Sequence, residues 1–376
     1  MAQVAIAVIA AILAMMSWRS YSNLNSVDLG YSTENAWAAT IDATQSMYKS
    51  PERLYLDLQT ALLRMPGVES ASLSVTGLFL TRPFYSRVWI DGLTGPEGSR
   101  VNYLVVGPGF FRMAKGHLLA GRDFSESDDR ERPAVAIVNE AFVKRLLGGT
   151  ARDGLRHFRF ARRDRHPREI VGVVADPRHT DIREQNLPVV YVPLLQHGDL
   201  ERVEAIVRTA DGQAPRIRSV VEGVDPRVTV FDEHSLERDR LELLRPERGL
   251  AFGAVALLIT ALGMSCLGLY GVFAYQLSLR RRDFAIRAAM GASKVQLALT
   301  ASRRLMIVII AGSALGAAAS SVGYRHLQPV MFGISRDGTA WLLAVVLATL
   351  ATAMAVVLIP ALRILRADLF GELRGS

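Results

Sequence analysis

The chain has 376 residues, half of them hydrophobic and 21% charged, a balance that excludes fibrous and disordered classes and leaves room for two or three folding units. A single cysteine, Cys266, excludes an intramolecular disulfide and a cysteine-based zinc cluster. The net charge of +8 is concentrated, with seven basic residues and one acidic between Arg280 and Arg304 and three basic and two acidic between Arg363 and Arg374; charge abutting apolar runs marks membrane topology and excludes a nucleic-acid surface.

In chain order, Ala2 to Trp18 is an apolar run of seventeen residues. A cleaved signal peptide is the competing reading. The missing basic leader, and the absence of a small-x-small cleavage site before Trp18 and Arg19, favour a retained helix.

Residues 19–248 read as a large mixed α/β domain. Ala36 to Thr44 is strand-like, Pro51 to Met65 carries Leu54, Leu58 and Leu62 at helical spacing, Pro66 and Gly67 stop it, and Val68 to Val75 alternates as a strand. A second strand, helix, strand cycle is expected over Val203 to Arg208, Ala214 to Val224 and Val228 to Asp232. Between them lie strands at Arg100 to Val106, Ala134 to Val138, Glu169 to Val174 and Val189 to Val192, and a helix from Glu140 to Leu147. The expected arrangement is an outer subdomain of about 36–99 and 200–240 with a second, about 100–199, inserted into it.

Residues 249–376 hold three longer apolar blocks. Leu250 to Leu279 is thirty residues without a charge, ~45 Å as a helix against a hydrocarbon core of ~30 Å. Leu305 to Tyr324 has twenty uncharged residues and Gly338 to Leu362 twenty-five. Buried helices of a soluble protein are the alternative, but three such runs within about 115 residues leave too little polar surface to cover them. Four membrane helices are therefore expected. The arginine-rich loop after Leu279 contrasts with only Arg325 and Arg336 between Gly323 and Asp337, so the former is cytoplasmic, both termini lie inside, and the large domain lies outside the cytoplasm.

No nucleotide-binding P-loop, H-E-x-x-H, G-x-S-x-G or G-x-G-x-x-G occurs, so an enzyme is not expected and any ATP would be hydrolysed by a partner. No cofactor or metal is expected: His157, His166 and His179, with Asp176 and Asp181, fall in an arginine-dense stretch that opposes a cation and read as solvated loop residues. No ionisable residue interrupts an apolar block, which disfavours a carrier with a midplane site. Gly312, Gly316 and Ser320 recur every four residues, a small-residue seam for helix packing, although small residues are common in membrane helices in any case.

The stretch Arg280 to Arg304 reads RRRDFAIRAAMGASKVQLALTASRR. Phe284, Ala288, Gly291 and Val295 recur at helical spacing, predicting a short interfacial helix that Gly291 bends; a basic helix resting on anionic lipid is the alternative. This stretch resembles the RR-x-E-I-G-I-R-x-A-L-G-A signature of MacB/FtsX-like ABC transporter permeases, preceded by a matching Gly268-Leu269-Tyr270-Gly271-Val272. The ending from Pro360-Ala361-Leu362-Arg363 to Glu372-Leu373-Arg374 is similar to theirs, as are Pro66-Gly67-Val68-Glu69, Gly121-Arg122-Asp123-Phe124, Val138-Asn139-Glu140-Ala141-Phe142, Val171-Gly172-Val173-Val174 and Tyr191-Val192-Pro193-Leu194. The likeness is particularly close to the second half of the duplicated permeases of acidobacteria.

The resemblance implies an inner-membrane permease subunit of mechanotransmission type, its first two helices flanking a periplasmic domain and its cytoplasmic loop (281–304) docking as a coupling helix on a separate ATPase. Arg282, Asp283, Arg287, Gly291 and Ala292 carry over as coupling residues. Asp283 replaces the family's Glu, Phe284-Ala285 its Ile-Gly, and Leu369 a proline near the end. Implied partners are that ATPase, a second permease half or a second copy, membrane lipid, and a periplasmic adaptor or hydrolase. Met1 abuts the apolar run where relatives carry a cytoplasmic lead or a whole first half, so a truncated or split half is expected. The function implied is export or extraction of a substrate; the alternative is a regulator of a periplasmic partner such as a cell-wall hydrolase.

Overall fold

The computed structural model describes residues 1–75, 77–78, 84–148, 157–161, 166–177, 187–197, 201–279, 290, 294–327, 331–333 and 339–366. They form two compact units, Val27–Leu243 and the pair Met1–Ser26 with Leu244–Ser376.

The first unit is built on one sheet. Its strands are β1 (Ala36–Asp42), β2 (Val68–Ser74), β3 (Tyr85–Val88), β4 (Ser99–Val106), β5 (Leu118–Gly121), β6 (Val135–Asn139), β7 (His157–Phe158), β8 (Arg168–Val174), β9 (Val189–Pro193), β10 (Arg202–Thr209) and β11 (Thr229–Ser235). Their order is β11-β1-β10-β2-β4-β9-β6-β8-β5, with β3 on β4 and β7 on β8. β10 runs antiparallel to both β1 and β2, and β1 antiparallel to both β10 and β11. The two expected strand, helix, strand cycles therefore interleave, each leaving a gap that a strand of the other fills.

Local chemistry accounts for the helices on this sheet. In α2 (Pro51–Leu63) proline stands in the first turn, the Ser50 hydroxyl accepts from the Arg53 amide, and Leu54, Leu58 and Leu62 are buried along one side. They pack with Ile217 and Val221 of α5 (Ile217–Val224) over Leu73, Val203 and Val230. In α4 (Glu140–Leu146) Asn139 caps the start by accepting from Phe142, with Glu140 in the first turn and Lys144 and Arg145 in the last. β6 and β9 are buried at every position, which is why they read as unbroken apolar runs without alternation.

The halves on either side of the β2–β4 junction share one hydrophobic core that includes Leu58, Leu73, Val138, Phe142 and Val190. The junction has one strand pair, Ser74 with Val106, flanked by Val75 N–H to Val105 O at 3.0 Å and Gly107 N–H to Leu73 O at 2.7 Å. β3, within the span assigned above to the outer subdomain, pairs with β4. Beneath β10 the guanidinium of Arg208, 2% exposed, donates to three main-chain carbonyls: Met113 at 2.9 Å, Ser32 at 2.7 Å and Glu34. Met113 lies in α3 (Phe110–Ala114), a single turn bounded by Gly109 and Lys115 in left-handed conformations.

The second unit is a bundle of α1 (Ala2–Asn25), α7 (Arg245–Leu279), α8 (Lys294–Leu327) and α9 (Thr339–Arg366). A further short polar helix, α6 (Leu236–Leu243), ends the first unit immediately before α7. Three bundle helices are long and apolar enough to cross a membrane over Ala2–Asn25, Arg245–Gln276 and Ser302–Tyr324, and α9 contributes a shorter apolar stretch, Trp341–Val357. α1 continues seven residues past the apolar run that marked it in the sequence. It buries Val4, Ala7, Val8, Ala11, Ile12 and Met16 among its neighbours, whereas α7 exposes Leu257, Ile259, Met264 and Leu267. Exposed apolar side chains on such a helix are what a lipid environment accepts. At the far end of α1, Trp18 meets Phe252 edge to face at 6.1 Å, and Asn23 and Ser20 hold the segment 331–333: the Asn23 amide donates to Gly333 O at 3.1 Å, and Ser20 accepts from Phe332 N–H at 3.0 Å.

Candidate functional site in the helix bundle and the last strand

Gly312 and Gly316 lie on the side of α8 that meets α1. A Cβ at Gly312 would stand 2.9 Å from Met1 O and 3.0 Å from Val4 Cβ; at Gly316, 2.8 Å from both Ala5 O and Val8 Cβ. The absence of side chains lets the two backbones approach, which is how membrane helices gain dispersion contacts where burial from water offers no drive. Ser320, next along the seam, is buried, and its hydroxyl has no hydrogen-bond partner among the described residues. On α7, Ser265 Oγ donates to Gln3 O at 2.8 Å and Gly268 sits beneath the Gln3 amide. α1 is thus gripped by α7 and α8 together. The spacing of the small residues was visible in the sequence, but not the helix that fills it.

Arg282, Asp283, Arg287, Gly291 and Ala292 lie outside the described residues, with the rest of 281–289 and 291–293. The described remainder, from Lys294 onward, forms the first turns of α8 and is continuous with the span.

The loop histidines form no cation site among the described residues. His157 and His166 are exposed, and His179 and Asp181 are outside the described residues. Asp176 is taken up by protein groups, accepting from Ala141 N–H at 2.6 Å and the Asn139 amide at 2.8 Å. Cys266 is a free thiol on α7.

A different set of polar groups gathers around the last strand. Glu204 on β10, His234 on β11 and Asp239 on α6 each offer a ligand-type atom within 4.8 Å of the others. Register brings them together: Glu204 lies opposite Thr40 and His234 opposite Ala38, two positions apart on β1 and so on one face of the sheet. His234 Nε2 faces Asp239 Oδ2 at 2.8 Å, and Nδ1 donates to Asp232 O at 2.6 Å. The hydrogen bond to Asp239 holds the imidazole up at about 9, while burial pushes the Glu204 carboxyl up to about 7. Sequence reasoning missed this group because thirty residues separate Glu204 from His234 and no motif spacing links them.

Residues 3–222 match the family model of the MacB-like periplasmic core domain, and residues 252–369 that of the FtsX-like permease C-terminal domain. The chain belongs to the MacB/FtsX-like ABC transporter permeases. Among curated proteins none matches it significantly. Similar solved structures include the periplasmic region of MacB from Actinobacillus actinomycetemcomitans, with 16% identity, covering 54% of this chain and 90% of that one, at a TM-score of 0.35. Another is the extracellular domain of the noncanonic ABC-type transporter YknZ from Gram-positive bacteria, with 14% identity, covering 52% of this chain and 100% of that one, at a TM-score of 0.34. In this permease the segment between the two family matches carries His234 and Asp239, while Glu204 lies inside the periplasmic match.

Proposed function

We propose that this permease is the membrane subunit of a mechanotransmission-type transporter, in which ATP hydrolysis on a separate ATPase moves the periplasmic domain to export or extract a substrate. The observation that carries the reading is the grip on α1. The chain enters the periplasmic-type unit from α1 and leaves it into α7, and these two helices pack directly on each other. A displacement imposed on the bundle therefore reaches both ends of that unit at once. Long helices are suited to this role because their backbone hydrogen bonds are internal and they move as rigid rods.

In this reading α1, α7, α8 and α9 all span the inner membrane, both termini and the loop 280–293 are cytoplasmic, and the domain divides into an outer part and an inserted part. A second copy or a second permease half completes the bundle, and a periplasmic adaptor or hydrolase is the downstream partner. Reporter fusions after Ala210 are expected to be active only outside the cytoplasm and fusions after Lys294 only inside; cytoplasmic activity at both positions contradicts the topology.

The coupling role belongs to Arg282, Asp283, Arg287, Gly291 and Ala292. Asp283 is the single carboxylate among seven cations in that stretch, and attraction to anionic lipid alone would be improved by its removal. Asp283→Arg is expected to weaken co-purification of the ATPase at least several-fold, since an opposed charge pair at a partly buried contact contributes about 1–3 kcal/mol. Membrane insertion is expected to survive, because the change strengthens the positive-inside bias. Unchanged ATPase binding and turnover would leave only a lipid-resting helix.

A further inference from the structure

The cluster of Glu204, His234 and Asp239 lies outside the bundle and has no part in the coupling scheme. We propose that these three side chains form a divalent-cation site in the periplasmic-type unit, with a donor set of one imidazole and two carboxylates suited to Zn²⁺. Mixed nitrogen and oxygen donors at three protein positions, with room for water, are what zinc and neighbouring transition ions accept. Ligand atoms about 2.1 Å from a tetrahedral ion stand roughly 3.4 Å apart. The three candidate atoms already lie within 4.8 Å of one another, so small rotamer adjustments close the set.

The imidazole is oriented for the task. Nδ1 donates to the Asp232 carbonyl at 2.6 Å, the backbone partner that fixes a ligating histidine's tautomer and leaves Nε2 for the metal. Asp232 has a φ of +53° at the point where β11 slips register against β1, and this bulge turns the carbonyl toward the ring.

The independent observation is the carboxylate of Glu204. The residue is partly buried, no hydrogen bond or salt bridge engages its carboxylate among the described residues, and none of the described lysines or arginines pairs with Asp239. Gly77 is shaped around it, since a Cβ there would collide with Glu204 Oε2. Two carboxylates thus face one imidazole, whose single positive charge can balance only one of them, and a divalent cation would balance both. All three residues keep part of their surface accessible, which provides an entry path. Binding displaces the Nε2 proton and any proton on Glu204, so loading is accompanied by proton release. A bound ion would tie α6 to the sheet at Asp239, six residues before α7 begins.

The test uses the tag-free full-length permease in detergent, stripped with chelator and titrated with ZnCl₂ at pH 7.5 in two buffers of different ionisation enthalpy. The expected result is one Zn²⁺ per chain with proton release, and at least ~10-fold weaker binding in each of Glu204→Gln, His234→Gln and Asp239→Asn. Co²⁺ added to the wild-type protein is expected to give a visible absorption band of low-symmetry nitrogen and oxygen coordination, a readout that depends on no variant folding. Absence of stoichiometric Zn²⁺ binding and of the Co²⁺ band would overturn the proposal and leave a proton-sharing cluster. So would Zn²⁺ binding undiminished in all three variants.

Discussion

Gly316→Ala is expected to destabilise the helix bundle by about 1–3 kcal/mol, although alanine is the better helix former. The added methyl would stand 2.8 Å from Ala5 O and from Val8 Cβ. The first of these is backbone in the first turn of α1 and cannot turn aside as a side-chain tip can, so α1 must move off α8. Gly323 lies on the same helix with nothing within 4 Å of its would-be Cβ, and Gly323→Ala is expected to be neutral or stabilising by up to ~1 kcal/mol. Thermal unfolding of the two variants in one detergent measures the difference. Equal melting temperatures would mean that the α1–α8 contact contributes nothing, and the argument for α1 as a gripped rod would lose its basis.

Arg208→Met is expected to cost the periplasmic-type unit about 3–5 kcal/mol. Methionine fills similar volume, so the loss is almost wholly polar: the carbonyls of Ser32, Glu34 and Met113 are left facing an apolar side chain. Burial already draws the guanidinium pKa down, yet three acceptors arranged around a planar donor outweigh that penalty. Lysine can satisfy fewer of these acceptors with its single ammonium, so Arg208→Lys is expected to fall between the two. For a unit of this size each kcal/mol lowers the melting temperature by roughly 2–4 °C, so the Met variant is expected to melt roughly 10 °C below wild type. Urea unfolding of the full chain, followed by the fluorescence of Trp37 and Trp89, reads the same change. A shift of a degree or less would assign the ordering of the segment before β1 to packing alone.

Much of the architecture was legible before any coordinates. The apolar blocks were found because a bilayer demands some twenty residues in succession, and such runs are hard to produce otherwise. α2 announced itself through Ser50, Pro51 and the leucines at 54, 58 and 62, and β6 and β9 through runs that only double-sided burial explains. The elements that escaped notice lack those signals. β5 is an edge strand whose four residues are all exposed, β7 has two residues, α3 is one turn, and α6 (LERDRLEL) is too polar to show an apolar side. The end of α1 carries no such signal because its last turns, from Arg19 to Asn25, are mostly polar, with Leu24 alone in the hydrophobic core and Ser20 and Asn23 bonded to the segment 331–333.

By itself, the sequence determined the class of the molecule: apolar helices before and after a mixed α/β domain, a basic stretch between two of the apolar blocks, no nucleotide-binding or hydrolytic motif, and blocks along most of the chain that resemble one permease family. These are properties of composition and of residues close in sequence, where helical and strand periods act directly on the order of side chains. Only the tertiary structure decided which helix fills the Gly312–Gly316 seam, that the two strand, helix, strand cycles interleave, and that Glu204, His234 and Asp239 meet. Each depends on register or docking between segments tens to hundreds of residues apart, and a one-residue slip of β11 against β1 would turn His234 to the opposite face of the sheet. Such pairings are set by the summed burial of whole elements, which no local spacing encodes.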